Sequence, residues 1–211
     1  MVRSTRNYDN SGRKRAAEET RAAILDAART ILLEGGYDEM TIASLARAAG
    51  VSPQTIYNSV GDKAAVVKAC YDVVLAGDAE PVPMSERPAF RALSLATDRP
   101  AFLRAYAHWC RDINSRVGGL LGRLLTAGGR DESLRSFLRA IDQERRLGTT
   151  HAMTALQRAH GLPDAVPLER AIDVAWTLNS PEVYERLVTR CGWPLDDYEH
   201  WLANQLAAVL R

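Results

Sequence analysis

The sequence predicts an all-α protein with a small N-terminal three-helix, helix-turn-helix module and a larger C-terminal helical domain. Aromatic residues make up only 7% of the chain, and no alternating run of β-branched residues occurs. Apolar residues instead recur at three- and four-residue steps, which is the spacing of one helix face. The 211 residues, 46% of them hydrophobic, suffice for a sizeable core in one or two domains.

A basic segment, residues 1–15, opens the chain. It holds five Arg or Lys side chains against one Asp, whereas the whole chain has a net charge of only +1. That low total excludes a generally polycationic nucleic-acid binder. The segment is interpreted either as a solubilising tail or as an arm that follows DNA phosphates or enters a minor groove.

Residues 13–35 are predicted to form the first long helix, which Gly35 and Gly36 end. Its expected inward stripe comprises Ala23, Ile24, Ala27, Ile31 and Leu32.

The segment from Thr41 to Lys63 is predicted to form two short helices joined by a sharp turn. Thr41 can cap the first helix, and Ser52 followed by Pro53 can cap and start the second. Gly50 supplies the positive φ that the turn requires. The second helix would bury Ile56 and expose polar side chains, as a helix that reads the DNA major groove must.

This segment resembles the DNA-binding signature of TetR-family transcriptional regulators. The matching features are Thr41, the turn at 49–52, Tyr57 and Lys63. Ser59 and Val60 depart from the family pattern, where larger aromatic residues are common, so sequence specificity is open at that end of the helix.

The resemblance implies a homodimer that binds a palindromic operator in double-stranded DNA. Base-edge contacts are expected from Gln54, Thr55 and Asn58, phosphate contacts from Tyr57 and Lys63, and helix-terminal contacts from Thr41 and Ser52. We divide the chain into the basic arm 1–15, a DNA-binding domain 16–61, a connecting helix 62–77 and an effector-binding and dimerisation domain 78–211.

The C-terminal domain begins with a proline-rich linker, residues 78–100, with one short helix over 88–96. Glycine pairs then favour separate helices 101–116 and 120–127. The remaining predicted helices are 130–160, 168–190 with a kink at Pro181, and 195–211.

An aromatic stripe on helix 101–116 is the first candidate ligand site, although such a stripe is more often plain core. It comprises Phe102, Tyr106, Trp109 and Ile113. The resemblance favours a cavity, because relatives enclose an effector pocket between the equivalent helices. Further candidates on later helices are Phe137, Ile141, His151, Met153, Trp176 and Asn179.

The last helix has a face that is too apolar for a free surface. Trp201, Leu202, Leu206 and Leu210 could pack within one subunit or form a dimer interface. The resemblance favours a four-helix bundle between two subunits.

Other chemistries lack sequence support. The three cysteines are far apart and form no C-x-x-C pair, which predicts neither a disulfide framework nor a zinc site. No nucleophile, phosphate-loop or metalloprotease motif occurs, so we expect no enzyme, metal or cofactor. No signal peptide or membrane span is evident, which predicts a cytoplasmic protein.

These observations together predict a dimeric repressor that leaves a palindromic operator when a small apolar molecule fills the C-terminal domain. Two alternatives stay open: a constitutive regulator without an effector, and an all-α small-molecule enzyme or carrier.

Overall fold

The computed structural model describes residues 10–77, 82–127 and 131–210. These residues form helices and turns with no strand, which confirms the all-α prediction. The chain divides into two compact units, a reading unit up to Cys70 and a body from Tyr71. No described helix is long and apolar enough to cross a membrane.

The reading unit holds three helices and the start of a fourth. They are α1 (Asn10–Glu34), α2 (Ile42–Ala49), α3 (Pro53–Ser59) and α4 (Lys63–Ala76), the last of which continues into the body.

The first helix differs from the prediction in its start and its buried face. It begins at Asn10, three residues before the predicted start, and it includes the basic residues 13–15 of the predicted arm. Residues 1–9 of the predicted arm lie outside the described residues. The fully buried positions include Ile24, Ala28 and Leu32, whereas Ala23 is exposed, because four-residue steps from Ile24 follow the helical period.

The helix-turn-helix forms as the local sequence dictates. The Thr41 hydroxyl accepts a hydrogen bond from the Ser44 amide at 3.0 Å, and the Thr41 amide donates one to the Ser44 hydroxyl. Gly50 ends α2 with φ +67°, a left-handed conformation that favours glycine. The Ser52 hydroxyl caps α3 through the Thr55 amide at 3.1 Å, with Pro53 as the first helical residue.

The body contains the long helices and several short turns. Its helices are α5 (Pro88–Arg91), α6 (Arg99–Ala127), α7 (Glu132–His160), α8 (Leu168–Leu178), α9 (Pro181–Tyr184) and α10 (Leu195–Val209). Two 3₁₀ turns, Met84–Glu86 and Ala92–Leu95, flank α5, and one π-helical turn, Glu185–Arg190, follows α9. The predicted helix 88–96 is therefore an α-helical turn continued by a 3₁₀ turn.

The glycine pair at 118–119 does not end a helix, contrary to the prediction. Helix α6 is continuous through it. A Cβ on Gly118 would lie 2.6 Å from Cε1 of Tyr184, so glycine permits the close approach of that ring. The second pair, Gly128 and Gly129, lies outside the described residues.

Pro181 breaks the predicted helix 168–190 instead of kinking it. Helix α8 ends at Leu178, and the Ser180 hydroxyl accepts a hydrogen bond from the Val183 amide at 3.3 Å to cap α9. Proline has no amide hydrogen and clashes with the preceding turn, so it favours the first position of a new helix.

The core of the body lies where α6 packs against α10 and α7 packs against α8. Phe102, Tyr106, Met153, Leu202 and Leu206 are fully buried there. The break after α8 places Asn179 at the edge of this core, where it caps α8.

Candidate nucleic-acid interface and ligand cavity

The outer face of α3 carries the predicted base-reading amides. Gln54 and Asn58 are exposed one turn apart, and the Gln54 Nε2 donates to the Asn58 Oδ1 at 2.9 Å. Tyr57 beside them is 51% exposed. Because α3 buries Ile56 on its other side, this polar face is fixed in position while its side chains stay open to solvent.

Two predicted DNA-contact residues, Thr41 and Ser52, are helix N-caps in the structure, and a third, Thr55, bonds to Ser52. The hydroxyls of Ser52 and Thr55 lie 2.8 Å apart at the start of α3, and Thr41 caps α2. Their contacts with DNA stay a prediction.

Lys63 holds the start of α4 against the loop after α1. Its Nζ donates to the Tyr37 carbonyl at 2.8 Å and lies 3.6 Å from the centroid of the Tyr37 ring. The side chain is half-buried. A structural role therefore accompanies the predicted phosphate contact, which stays a prediction.

Arg21 is a residue that the sequence reasoning missed. Its Nη1 donates to the Ser59 carbonyl at 2.8 Å, which ties α1 to the last turn of α3. The final carbonyls of a helix lack partners within the helix, so this contact stabilises the end of α3. No local pattern could reveal it, because the two residues are 38 positions apart.

The body contains a cavity of about 190 Å³. Residues from α4, α6, α7 and the segment after α8 form its wall, together with Met84. The lining consists of Tyr71, Leu75, Met84, Trp109, Cys110, Ile113, Asn114, Val117, Leu121, Glu144, Arg145, Gly148, Thr149, Asn179 and Pro181. Since an apolar cavity of about 150 Å³ accepts benzene, this one has room for a small organic molecule.

Asn179 is the centre of a buried polar network at one end of the cavity. Its Nδ2 lies 2.6 Å from the Tyr106 hydroxyl, 3.4 Å from the Thr149 Oγ1 and 3.7 Å from the Cys110 Sγ. Asn114 adds a hydrogen bond to the Asn179 carbonyl at 3.2 Å. These contacts satisfy groups that would otherwise be costly to bury.

Arg145 brings a positive charge to the same end. Its Nη2 donates to the Asn179 Oδ1 at 2.9 Å and to the Trp176 carbonyl at 3.2 Å, and its Nη1 pairs with Asp142 at 2.9 Å. The guanidinium is thus held in place by α7 and the end of α8.

Burial keeps one thiol and two phenol groups near the cavity neutral. Burial raises the pKa of the Cys110 thiol to about 12 and raises the pKa values of the Tyr71 and Tyr106 hydroxyls above their usual range. All three therefore stay protonated at pH 7 and can serve as neutral hydrogen-bonding groups.

Three of the ten predicted ligand residues line the cavity, namely Trp109, Ile113 and Asn179. Tyr106 does not line the cavity, but its hydroxyl accepts a hydrogen bond from Asn179, which does. Phe102 and Met153 lie in the core. The aromatic stripe marked a buried face of α6, but most of that face packs against protein.

The other four predicted ligand residues are not in the cavity wall. Phe137 and Ile141 are buried, and the Phe137 ring lies edge-on to Tyr71 with the centroids 5.8 Å apart. Trp176 is half-buried beneath the Arg146 guanidinium, which lies 5.2 Å from the ring centroid, and His151 is exposed.

Several lining residues follow a four-residue spacing in the sequence, which indicates that they share one helix face. Ile113, Val117 and Leu121 recur every four residues along α6, and Arg145 and Thr149 do so along α7. Gly148 lies between the latter two, and a Cβ there would have no atom within 4 Å. A larger side chain at this position can therefore enter open space.

The predicted dimer interface needs correction at three leucines. Leu202, Leu206 and Leu210 are fully buried within the single chain, because this face of α10 packs on the body core. A partner subunit could not reach their side chains. Trp201 is half-buried, stacks on Tyr198 with centroids 6.2 Å apart, and lies edge-on to Trp193.

The N-terminal region matches the family model described as bacterial regulatory proteins of the tetR family, over residues 24–70. Across 173 residues the chain is 32% identical to the uncharacterized HTH-type transcriptional regulator YdeS of Bacillus subtilis strain 168. That alignment covers 82% of this chain and 80% of YdeS.

Solved structures share the fold. A Rhodococcus sp. protein described as a TetR-family transcriptional regulator superposes with a TM-score of 0.69 at 16% identity, covering 92% of this chain and all of that one. The fatty acid degradation regulator FadR of Bacillus halodurans gives a TM-score of 0.66 at 15% identity, covering 89% of this chain and 94% of FadR.

Proposed function

The chain belongs to the TetR family of bacterial transcriptional regulators, and we propose that it acts as a homodimeric repressor released from DNA by a small molecule. Its helix-turn-helix is the DNA-binding part. A palindromic operator follows from two-fold symmetry, with recognition helices about 34 Å apart in successive major grooves. The protein would act in the cytoplasm, where its DNA lies.

The observation that carries ligand control is the cavity in the body. A constitutive regulator needs no cavity of about 190 Å³ beside a fixed network of buried polar groups. The cavity is lined mostly by apolar side chains, and a ligand that fills it would remove their surface from water.

Helix α4 offers a route from the cavity to the DNA-binding helices. It begins at Lys63, four residues after α3 ends, and its later turns place Tyr71 and Leu75 in the cavity wall. A ligand that prefers a different position of α4 would disfavour the DNA-competent spacing of the dimer. The ligand switches the protein only by its difference in affinity for the two states.

The dimer is proposed to use the outer side of α10 instead of the buried leucines. Trp201 is half-buried and Val209 is 40% exposed, so both offer apolar surface that a second subunit could cover. Trp201→Glu and Val209→Glu should each yield monomers at micromolar concentration in sedimentation velocity, with unchanged helical circular dichroism. If both variants remained dimers, the dimer interface would have to lie elsewhere on the chain.

The DNA part of the proposal is tested by selecting binding sites for the full chain from a random duplex library. The expected result is an inverted repeat of two half-sites, one for each recognition helix. Asn58→Ala should relax preference at one base pair in each half-site, whereas Tyr57→Phe should weaken all sequences alike. Recovery of sites without two-fold symmetry would contradict a homodimer on a palindrome.

The rival function, an all-α enzyme or carrier, would show no sequence-specific DNA retention in this experiment.

A further inference from the structure

The polar end of the cavity contains an unused acceptor. Asn114 is only 4% exposed and lines the cavity. Its Nδ2 donates to the Asn179 carbonyl at 3.2 Å and to the Tyr198 hydroxyl at 3.1 Å, which occupies both hydrogens of the amide. Within the described ranges no donor reaches the Asn114 Oδ1, so this oxygen can accept a hydrogen bond from a ligand.

The same end contains unused donors. Arg145 has five N–H groups, of which Asp142, Asn179 and the Trp176 carbonyl occupy three. The other two have no partner in the described part of the chain. Asn114 and Arg145 both bond to Asn179, so the free acceptor and the free donors lie near each other.

The cavity wall has no net formal charge. Arg145 and Glu144 are the only acidic or basic residues in the lining, and their formal charges have opposite signs. Arg145 already pairs with Asp142, so it is poorly placed to neutralise a second carboxylate. An anionic or cationic ligand would therefore bring an unbalanced charge into a mostly apolar space, which is unfavourable.

The apolar part of the wall sets the size of the ligand. Ile113, Val117 and Leu121 follow one another over eight residues of α6, a length of about 12 Å at 1.5 Å per residue. A volume of about 190 Å³ exceeds the ~150 Å³ that holds benzene by about one small substituent.

We propose that the effector is an uncharged molecule of about one ring that carries a carboxamide or hydroxyl group at one end. Its oxygen accepts from Arg145 and its N–H or O–H donates to the Asn114 Oδ1. This inference rests on the proposed ligand-responsive function and specifies the chemistry of that site.

Four probes of one size test the proposal: benzamide, benzoate, benzylamine and ethylbenzene. All four tryptophans of the chain lie in the body and Trp109 lines the cavity, so tryptophan fluorescence can follow titrations of the full-length protein. Benzamide should bind about tenfold or more tightly than each of the other three, because only it is neutral and has both hydrogen-bonding functions.

Substitutions at Arg145 and Gly148 test whether the probes bind in the cavity and whether Arg145 contacts them. Arg145→Gln should weaken benzamide by about tenfold and leave ethylbenzene unchanged, a selective loss that a merely structural role of Arg145 would not give. Gly148→Leu should block all the probes by filling the cavity, while Gly148→Ala should leave room for them.

The possible outcomes separate this inference from the proposed function. Tighter binding of benzoate, benzylamine or ethylbenzene than of benzamide would overturn the uncharged donor–acceptor class and leave a ligand-responsive regulator standing. Binding of no probe would likewise overturn only the proposed ligand class. Equal binding of a probe to wild type and Gly148→Leu would remove the cavity as the ligand site, and with it the ligand control that is argued from this cavity.

Discussion

The reading unit and the body place their amide side chains in opposite environments. Gln54 and Asn58 are exposed on α3 and bond to each other at 2.9 Å. Asn114 and Asn179 are 4% and 9% exposed and bond to fixed groups of the body. Exposed amides can exchange partners at little cost, whereas buried amides must keep theirs. The reading unit thus offers amides that can bond to a new surface, whereas these amides of the body already bond to fixed groups of the protein.

The largest difference in the free energy of unfolding is expected when the same substitution, Asn→Leu, is made in each unit. Asn179→Leu removes the centre of the buried network and should lower the free energy of unfolding by about 3 kcal/mol, because partner groups stay buried without hydrogen bonds. Asn58→Leu should change it by less than about 0.5 kcal/mol. Urea unfolding followed by far-ultraviolet circular dichroism measures both, and similar losses for the two variants would refute the contrast.

The next largest change in the free energy of unfolding is expected from alanine substitutions at two glycines of the body. Gly118→Ala should destabilise by about 1–3 kcal/mol, since the new methyl group would lie 2.6 Å from the Tyr184 ring. Gly148→Ala should stabilise by about 0.5–1 kcal/mol, because alanine favours the helix and the methyl group meets open space. Tryptophan fluorescence during unfolding reports the body alone. A stabilised Gly118→Ala would mean that the Tyr184 ring moves away without cost.

The contact between Arg21 and the end of α3 leads to a smaller effect, on operator binding. Arg21→Ala should weaken operator binding by about 1 kcal/mol, roughly fivefold, by loosening the end of α3. If Arg21 acts by positioning, the dependence of affinity on salt should not change. A slope reduced by about one unit would instead identify Arg21 as a direct phosphate contact.

The smallest effect concerns cysteine labelling. Cys191 is exposed, whereas burial raises the pKa of Cys70 in the reading unit to about 11 and that of Cys110 in the body to about 12. The thiolate is the reactive form, so iodoacetamide at pH 8 should label Cys191 first. Effector should further slow the labelling of Cys110, which lines the cavity, more than that of Cys70. Equal slowing of both would indicate a general stabilisation.

The reading unit could be predicted closely because its determinants are local. Thr41, Gly50 and Ser52 act on residues within four positions, so their types and spacing suffice to place caps and turn. Arg21 could not be predicted, since its contact with Ser59 depends on how α1 packs on α3.

The cavity could be predicted only in part, because tertiary packing forms it. Asn114 and Tyr198 are 84 positions apart, and Arg145 and Asn179 are 34 apart. Apolar periodicity identifies buried faces but does not distinguish a face that packs on protein from one that borders a cavity. For the same reason the buried face of α10 suggested a dimer interface, although that face completes the core of its own chain.

We propose that a molecule in the body cavity releases the protein from DNA. Fluorescence anisotropy of a labelled operator measures this directly, with effector added to wild type, Gly148→Ala and Gly148→Leu. Without effector, all three proteins should bind the operator with the same affinity. Effector should release wild type and Gly148→Ala from the operator but should not release Gly148→Leu. Equal release of Gly148→Leu would show that the cavity does not control DNA binding.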